Sequence, residues 1–389
     1  MKKFNLALIS VLCLLSFVFS SGITVPQQTI IKEKTEETAQ MPEHEVIETS
    51  CVARIKKIIL DTEEELPGGN KQRSQQLLLE ILSGNDKGKE RVASNVIPDN
   101  PAFSIIGEVG RKYLVTKIEG ALDGKEDYFI VDYFRENFVY SLIGLFFLVI
   151  IAVGGVKGIK TIISLLIVIA FIAFLLLPSI EAGINPLLSA VIVSMFATGI
   201  TMLLVAGKNM KSLAATIGTG VGVLAGGIIA TFVIKYAPLS GLASTEAMIL
   251  WGNRMVEINF KGLLAAGMIV SCLGAVMDTA ISIASSIHEI KLANPNYSFK
   301  QFYLSGMNVG KDVMGTMTNT LVLAYTGMAL PLLLLIHYEK NPAKFLNLEL
   351  VVSEVTAAIA GSIGLVIAVP VTAIIMSYLV SVRKKGNGG

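Results

Sequence analysis

The sequence predicts an α-helical polytopic membrane protein of about eight transmembrane helices, with a small extracytoplasmic, mainly-β domain between helices one and two. Three observations carry that expectation. Hydrophobic residues make up 53% of the chain, charged residues only 16%, and the mean hydropathy is +0.66; a soluble globular chain is nearer a quarter charged. Apolar runs long enough to cross a bilayer core of roughly 30 Å, which takes about 20 helical residues, recur along the chain. The charge is concentrated instead in one interval, because twenty-one of the thirty Asp and Glu residues fall between Glu33 and Glu136.

The first element is the apolar run Phe4–Gly22, preceded by Met1-Lys2-Lys3. This pattern fits an uncleaved signal-anchor and also a cleaved secretory signal, with Ser20-Ser21-Gly22 offering small residues for cleavage. The anchor is preferred, so residues 1–25 are expected to form the first span. Residues 26–50 are polar, charged and poor in aromatics, as in QQTIIKEKTEETAQMPEHEVIE, and predict a flexible extracytoplasmic stalk.

From Cys51 the pattern changes. Short apolar runs (CVARIKKIIL, QLLLEILSG, RVASNVI, KYLVTKIEG and YFIVDYF) alternate with the turn clusters GGN, SGNDKGK, PDNP and LDGKED. Such spacing predicts a small β unit over residues 51–137, in the form of a partly open barrel. No ligand-specific motif marks it, so a compact cap is expected there rather than a binding module.

Residues 138–385 are expected to form a seven-helix, permease-like membrane domain. Its spans fall near Phe138–Val156, Thr161–Pro178, Leu187–Ala206, Leu213–Ile234, Leu263–Ile287, Thr316–His337 and Val355–Leu379. Counting Lys and Arg in the short segments gives twelve on the side of the N-terminus and five opposite. The positive-inside rule then places both termini in the cytoplasm and residues of about 26–137 outside a bacterial cell membrane. Pro331 and Pro370 predict kinks in their helices. Trp251, in the outer loop STEAMILWGNRMVEINF, predicts an interfacial helix.

Several chemistries find no support. Cys13, Cys51 and Cys272 are scattered, and the three His form no cluster with them, so neither a disulfide framework nor a zinc site is expected. No Gly-rich phosphate loop with its lysine is present. No cofactor and no nucleic-acid partner is expected. The partners implied are the lipid bilayer, an unknown small solute or ion, and a further membrane protein.

The most informative stretch is GAVMDTAISIASSIHEI. Asp278 lies ten residues before His288, about 15 Å along a helix at ~1.5 Å per residue, and so near the bilayer midplane. At 100° per residue, Gly267, Ser271, Gly274, Asp278, Ser282, Ser285 and Glu289 share one helical face within about 40°. Close helix packing accounts for the Gly and Ser. It does not account for Asp278, since a charge at the centre of a span costs roughly 2.5–3.5 kcal/mol even on a lenient scale.

The next span carries a second stripe: Asn308, Asp312, Gly315, Thr316, Asn319 and Thr326. It follows Ser298 and Gln301, which form a candidate capping box. Asp312 has two readings, a polar lining residue or an acid favoured by the helix dipole near a helix start. The remaining spans look structural. Gly218, Gly222 and Gly226 at four-residue spacing form a small-residue packing face, as do Ala357, Gly361, Gly364 and Ala368.

GAVMDTAISIASSIHEI, followed by SGMNVGKDVMGTMTNTLVLAY, resembles the signature of the YibE/F-like membrane proteins. ILSGNDKGKERVASNVI is similar to the N-terminal half of the same family. The resemblance implies a bacterial multi-pass membrane protein. A central Asp with an acidic exit, followed by an Asn/Thr-rich helix start, is also similar to the proton-driven RND and SecD/SecF-type permease cores. This chain departs from them with Ser-Ile-His-Glu in place of a basic Arg-Ile-Arg-Glu ending, and with eight expected spans rather than six.

The expected function is therefore a transporter or transport-associated permease, coupled to protons through Asp278. Ser282, Ser285, His288 and Glu289 would relay protons toward the cytoplasm, and Asp312, Thr316 and Asn319 would complete the polar lining. Two alternatives come from other classes. One is a membrane-embedded aspartyl hydrolase using Asp278 and Asp312, although no Gly-x-Gly-Asp motif is present. The other is a non-transporting scaffold that presents the outer domain.

Overall fold

The computed structural model describes residues 47–386 apart from 66–70, 101–102, 122–124, 253–257 and 339–341. The expected first span and most of the stalk lie outside the described residues. The chain divides into two compact units, Met1–Val149 and Ile150–Gly389.

The first unit contains five strands: β1 Ile47–Glu65, β2 Lys71–Ile81, β3 Glu90–Ile97, β4 Lys112–Ala121 and β5 Lys125–Tyr133. They close into a barrel in the order β1-β2-β3-β5-β4, a five-stranded Greek-key arrangement of the OB type. β1 makes closure possible because it is long enough to serve two partners. Its first half pairs with β4 and its second half with β2. Register shifts at Ile55/Lys57 and Ile58/Leu60 bend it between them. The barrel is closed rather than partly open, but the β3–β5 seam holds by only two residue pairs, Ala93↔Tyr128 and Ser94↔Phe129.

Period-two alternation places Ala53, Ile55, Leu77, Leu79, Ala93, Tyr113 and Val115 in the interior, each fully buried. Polar groups close the ends. Gln75 accepts from Gly107 N–H at 2.9 Å and donates to Asp61 at 2.9 Å, while Asn95 donates to Ile105 O at 2.7 Å. These bonds pin the β3–β4 connection to the barrel.

The second unit is helical. α1 Glu136–Phe171, whose residues up to Val149 fall in the first unit, continues through a π-helical turn, Ile172–Leu176, into α2 Leu177–Glu181. Together they span 46 residues, about 69 Å if straight and more than twice a bilayer core. Gly155 breaks this length, with φ 53° and ψ −129°, a backbone conformation that glycine alone adopts at low cost. A Cβ on Gly158 would collide with the carbonyl of Ile150, residues that a straight helix would hold about 12 Å apart. The chain therefore turns sharply at Gly155, between Ile150 and Gly158.

α3 Pro186–Val205, α4 Met210–Tyr236, the short α5 Thr245–Gly252 and α6 Phe260–Ala293 follow, then α7 Phe299–Met328, α8 Leu330–Tyr338, α9 Pro342–Leu346 and α10 Glu349–Gly386. Caps explain the starts. Asn185, Asn209 and Asn259 accept from N–H groups in the first turns of α3, α4 and α6. Ser298 and Gln301 form the full capping box of α7. Among the described residues five helices are long and apolar enough to cross a membrane, or six if α7 and α8 make one bent span. The bend is 65° and falls at the break between Met328 and Leu330, just before Pro331, where a kink was expected. α5 carries Trp251, 59% exposed.

α4, α6 and α10 form the centre of the bundle, with α3 against α4 and α6, and α7 against α6 and α10. The small-residue faces of α4 and α10 are paired with each other. A Cβ on Gly222 would lie 2.6 Å from Gly364 O, and one on Gly226 would lie 3.1 Å from Ala360 O. Gly361 instead meets Cys272 of α6, at 2.8 Å from the position of a Cβ.

Candidate functional site

α6 is amphipathic in an inverted sense. Ala265, Ala266, Met268, Ile269, Cys272, Leu273, Val276, Ala280, Ile283, Ala284 and Ile287 are buried against the rest of the bundle. Gly267, Ser271, Gly274, Asp278, Ser282 and Glu289 are exposed, and Ser285 is half-buried. A Cβ on Gly267 or Gly274 would meet nothing within 4 Å. The stripe that shares a face in the sequence is thus the face of α6 that the described chain leaves uncovered.

Asp278 lies 18 residues from the first residue of α6 and 15 from the last, so it is at mid-helix. Its carboxylate forms no hydrogen bond or ion pair among the described residues. Ser286 Oγ donates to Ser282 O at 2.9 Å, a bond within the helix. At the end of the stripe Glu289 meets Lys211 of α4, with Nζ 3.3 Å from Oε1. His288 is half-buried beside it.

α7 shows the same inversion. Phe302, Gly306, Gly310 and Leu321 are buried, whereas Asn308, Asp312, Gly315, Thr316 and Asn319 are exposed. Thr316 Oγ1 donates back to Val313 O at 3.0 Å. Asp312 is thirteen residues past the first residue of α7, about 20 Å along the helix. Helix-dipole stabilisation is confined to the first turn, which removes that reading of Asp312.

The two helices meet through their apolar and glycine faces. A Cβ on Gly306 would lie 2.5 Å from Ile287 Cδ1, and one on Gly310 would lie 3.4 Å from Ile283 Cδ1. The polar stripes therefore do not face each other across the α6–α7 contact, and no bond joins Asp278 to Asp312 among the described residues. One polar link does cross: the Ser271 and Tyr325 hydroxyls are hydrogen-bonded.

The arrangement is a pair of neighbouring helices with apolar faces inward and continuous polar faces outward, each holding a mid-helix Asp. The sequence model of the YibE/F-like protein family matches residues 142–382, which include both stripes. The chain belongs to that family. No curated protein and no solved structure matches it.

Two polar features of this YibE/F-like protein escaped the sequence. In the barrel, Asp86 accepts from Lys89 Nζ at 2.7 Å, Tyr128 Oη at 2.9 Å and Lys117 Nζ at 3.1 Å. These bonds hold its carboxyl well below the usual carboxylate range. In the helical unit, Glu349 opens α10 and accepts from Ser240 N–H at 2.6 Å and Gly241 N–H at 2.7 Å. That ties the end of α4 to the start of α10. Neither cluster lies on the polar stripes.

Proposed function

We propose that this YibE/F-like protein is a membrane transporter or transport-associated permease, with protons moving through Asp278. The observation that supports it is the uncovered pair of polar faces on α6 and α7 at mid-helix depth. Ionisable residues within membrane spans almost always face a protein interior or a water-filled cavity, because hydrocarbon is so costly for them. Two adjacent faces of Asp, Asn, Thr and Ser cannot rest against lipid without a large penalty. They suit one wall of a hydrated route, closed on its other side by a further membrane protein or a second copy of this chain.

In that arrangement Asp278, on the uncovered face of α6 at mid-helix, gains and loses a proton at mid-membrane. Glu289 and His288 exchange protons with the cytoplasm, through Ser282 and Ser285. Asp312, Thr316 and Asn319 extend the polar wall. Eight spans with both termini in the cytoplasm and residues of about 26–137 outside complete the layout. No curated protein or solved structure supports the likeness to proton-driven permease cores; the residues of α6 and α7 alone carry this reading. A hydrolytic Asp pair is disfavoured by the α6–α7 contact, which leaves Asp278 and Asp312 unbonded to each other.

The test is flux in proteoliposomes that carry an imposed pH gradient and an internal pH dye, screened against ions and small solutes. Asp278→Asn keeps the shape and a hydrogen-bonding amide while abolishing titration. It should insert and fold normally yet lose gradient-driven flux. Full, still pH-dependent flux in that variant would sink the proposal.

A further inference from the structure

Where α8 departs from α7, a cavity of about 260 Å³ opens between α7, α8 and α10. Tyr325, Thr326, Leu332, Leu333, Glu354 and Ala358 are among its walls. An adjoining cavity of about 360 Å³ shares Ala329, Leu332 and Glu354 with it. The space exists because the 65° bend swings α8 outward, and α8 buries none of its own residues. Together the two cavities fall within the size range of small-molecule sites, which are mostly apolar with a few placed polar groups.

The polar groups are few and unequal. Thr326 Oγ1 donates to Val322 O at 2.7 Å within its own helix, and the Tyr325 hydroxyl is engaged by Ser271. Among the described residues, Glu354 is the one charged residue in either lining. It sits five residues inside α10, half-buried, with no hydrogen bond or ion pair among the described residues. An apolar acyl chain would fill the space but leave that carboxylate unpaired. A hydrophilic cation would satisfy the carboxylate but strip its own hydration shell against Leu and Val. An occupant that matches both parts of the wall brings apolar bulk and a single delocalised or shielded positive charge, and the Tyr325 ring adds a face that favours cations.

We propose that the α7–α8–α10 cavity is a binding site for lipophilic monocations, with Glu354 as the counter-ion. The site stands on this cavity alone and does not require that the protein transports.

The test uses the full chain purified in nanodiscs of neutral lipid, with equilibrium binding of tetraphenylphosphonium compared with tetraphenylborate. These two ions have nearly the same size and shape and opposite charge. The cation should bind at least about tenfold more tightly, and Glu354→Gln should weaken it by about tenfold without weakening the anion. Glu354→Asp should retain most of the preference, and Leu332→Trp should reduce cation binding by filling the cavity. Unchanged unfolding temperatures in Glu354→Gln exclude misfolding as the cause, and Asp278→Asn should leave binding intact, which separates this site from the proton route. Equal binding of the two ions, or tetraphenylphosphonium binding indifferent to Glu354→Gln, would mark an apolar niche for lipid and overturn the proposal.

Discussion

Gly222 of α4 and Gly364 of α10 approach so closely that a Cβ on either would lie 2.6 Å or 2.7 Å from the carbonyl oxygen of the other. The contact is reciprocal and backbone to backbone, so no side-chain rotation can relieve an added methyl. Gly222→Ala and Gly364→Ala should each destabilise the bundle by about 1–3 kcal/mol, the usual range for overpacking. Gly267→Ala and Gly274→Ala, whose added methyls meet open space, should leave the unfolding temperature in detergent nearly unchanged. Equal destabilisation by all four would mean that α6 is packed on a face the structure leaves open.

The barrel should fold alone. Residues Ile47 to Tyr133 hold one closed barrel and its hydrophobic core, and a domain of about this size can be stable in isolation. Expressed without the helices, it should show β-type circular dichroism and one cooperative melt. A disordered spectrum would show that the barrel depends on the helical unit.

That isolated barrel should also weaken in acid, in a defined window. Arg73 and then Gln75 hold the Asp61 carboxyl down at about 2, and the bonds from Lys89, Tyr128 and Lys117 depress Asp86 further. Carboxyls depressed in the folded state stabilise it above the unfolded value of about 3.9 and lose that contribution as pH falls through the folded value. The melting temperature should therefore hold near neutral pH and drop progressively below about pH 4. Asp86→Asn should destabilise the barrel at neutral pH by about 1–3 kcal/mol, for the stranded donors, and flatten the acid decline of the melting temperature. An acid limb unaltered in Asp86→Asn would reassign the effect.

The orientation can be read with an impermeant thiol reagent on intact cells. In a background without the native cysteines, Lys208→Cys and Asn296→Cys should be shielded while Lys125→Cys reacts. Cys51 is 7% exposed, and burial pushes its thiol above the ordinary range, with Asp86 adding to the effect; it should react slowly even before removal. Labelling at position 296 from outside would reverse α6 and α7.

What the sequence made legible follows from the range of the interactions. The five apolar runs after Cys51 are the five strands, and Ser298 with Gln301 is the cap of α7, because alternation and caps are local. The glycine faces of α4 and α10 were legible as packing faces, though not as partners of each other. Closure of the barrel was not legible, since it depends on a two-pair seam between β3 and β5. Nor was the Asp86 cluster, whose partners Lys117 and Tyr128 stand 31 and 42 residues away. Helical periodicity placed Asp278, Ser282 and Glu289 on one face. It could not tell whether that face meets the bundle or turns from it, because Gly and Ser serve close packing and polar lining equally well.

The direction of that face leads to the last prediction. If the polar stripes of α6 and α7 are one wall of a route that another protein surface closes, they are shielded from lipid in the membrane. Nitroxide labels at Ser282→Cys and Asn319→Cys would then show low collision rates with oxygen, which concentrates in hydrocarbon, and measurable rates with a water-soluble nickel chelate. Phe232 of α4, 58% exposed on an apolar surface, supplies the lipid-facing reference, where the order of the two rates should be reversed. Removing the second surface by dilution into excess nanodiscs, one chain per disc, should raise oxygen access at Ser282 and Asn319 if a second copy covers them. It should change nothing if a tightly held partner of another kind co-purifies with the chain. Labels on both stripes that behave like Phe232 in native membranes would place Asp278 and Asp312 against lipid, and no covering surface would remain to be sought.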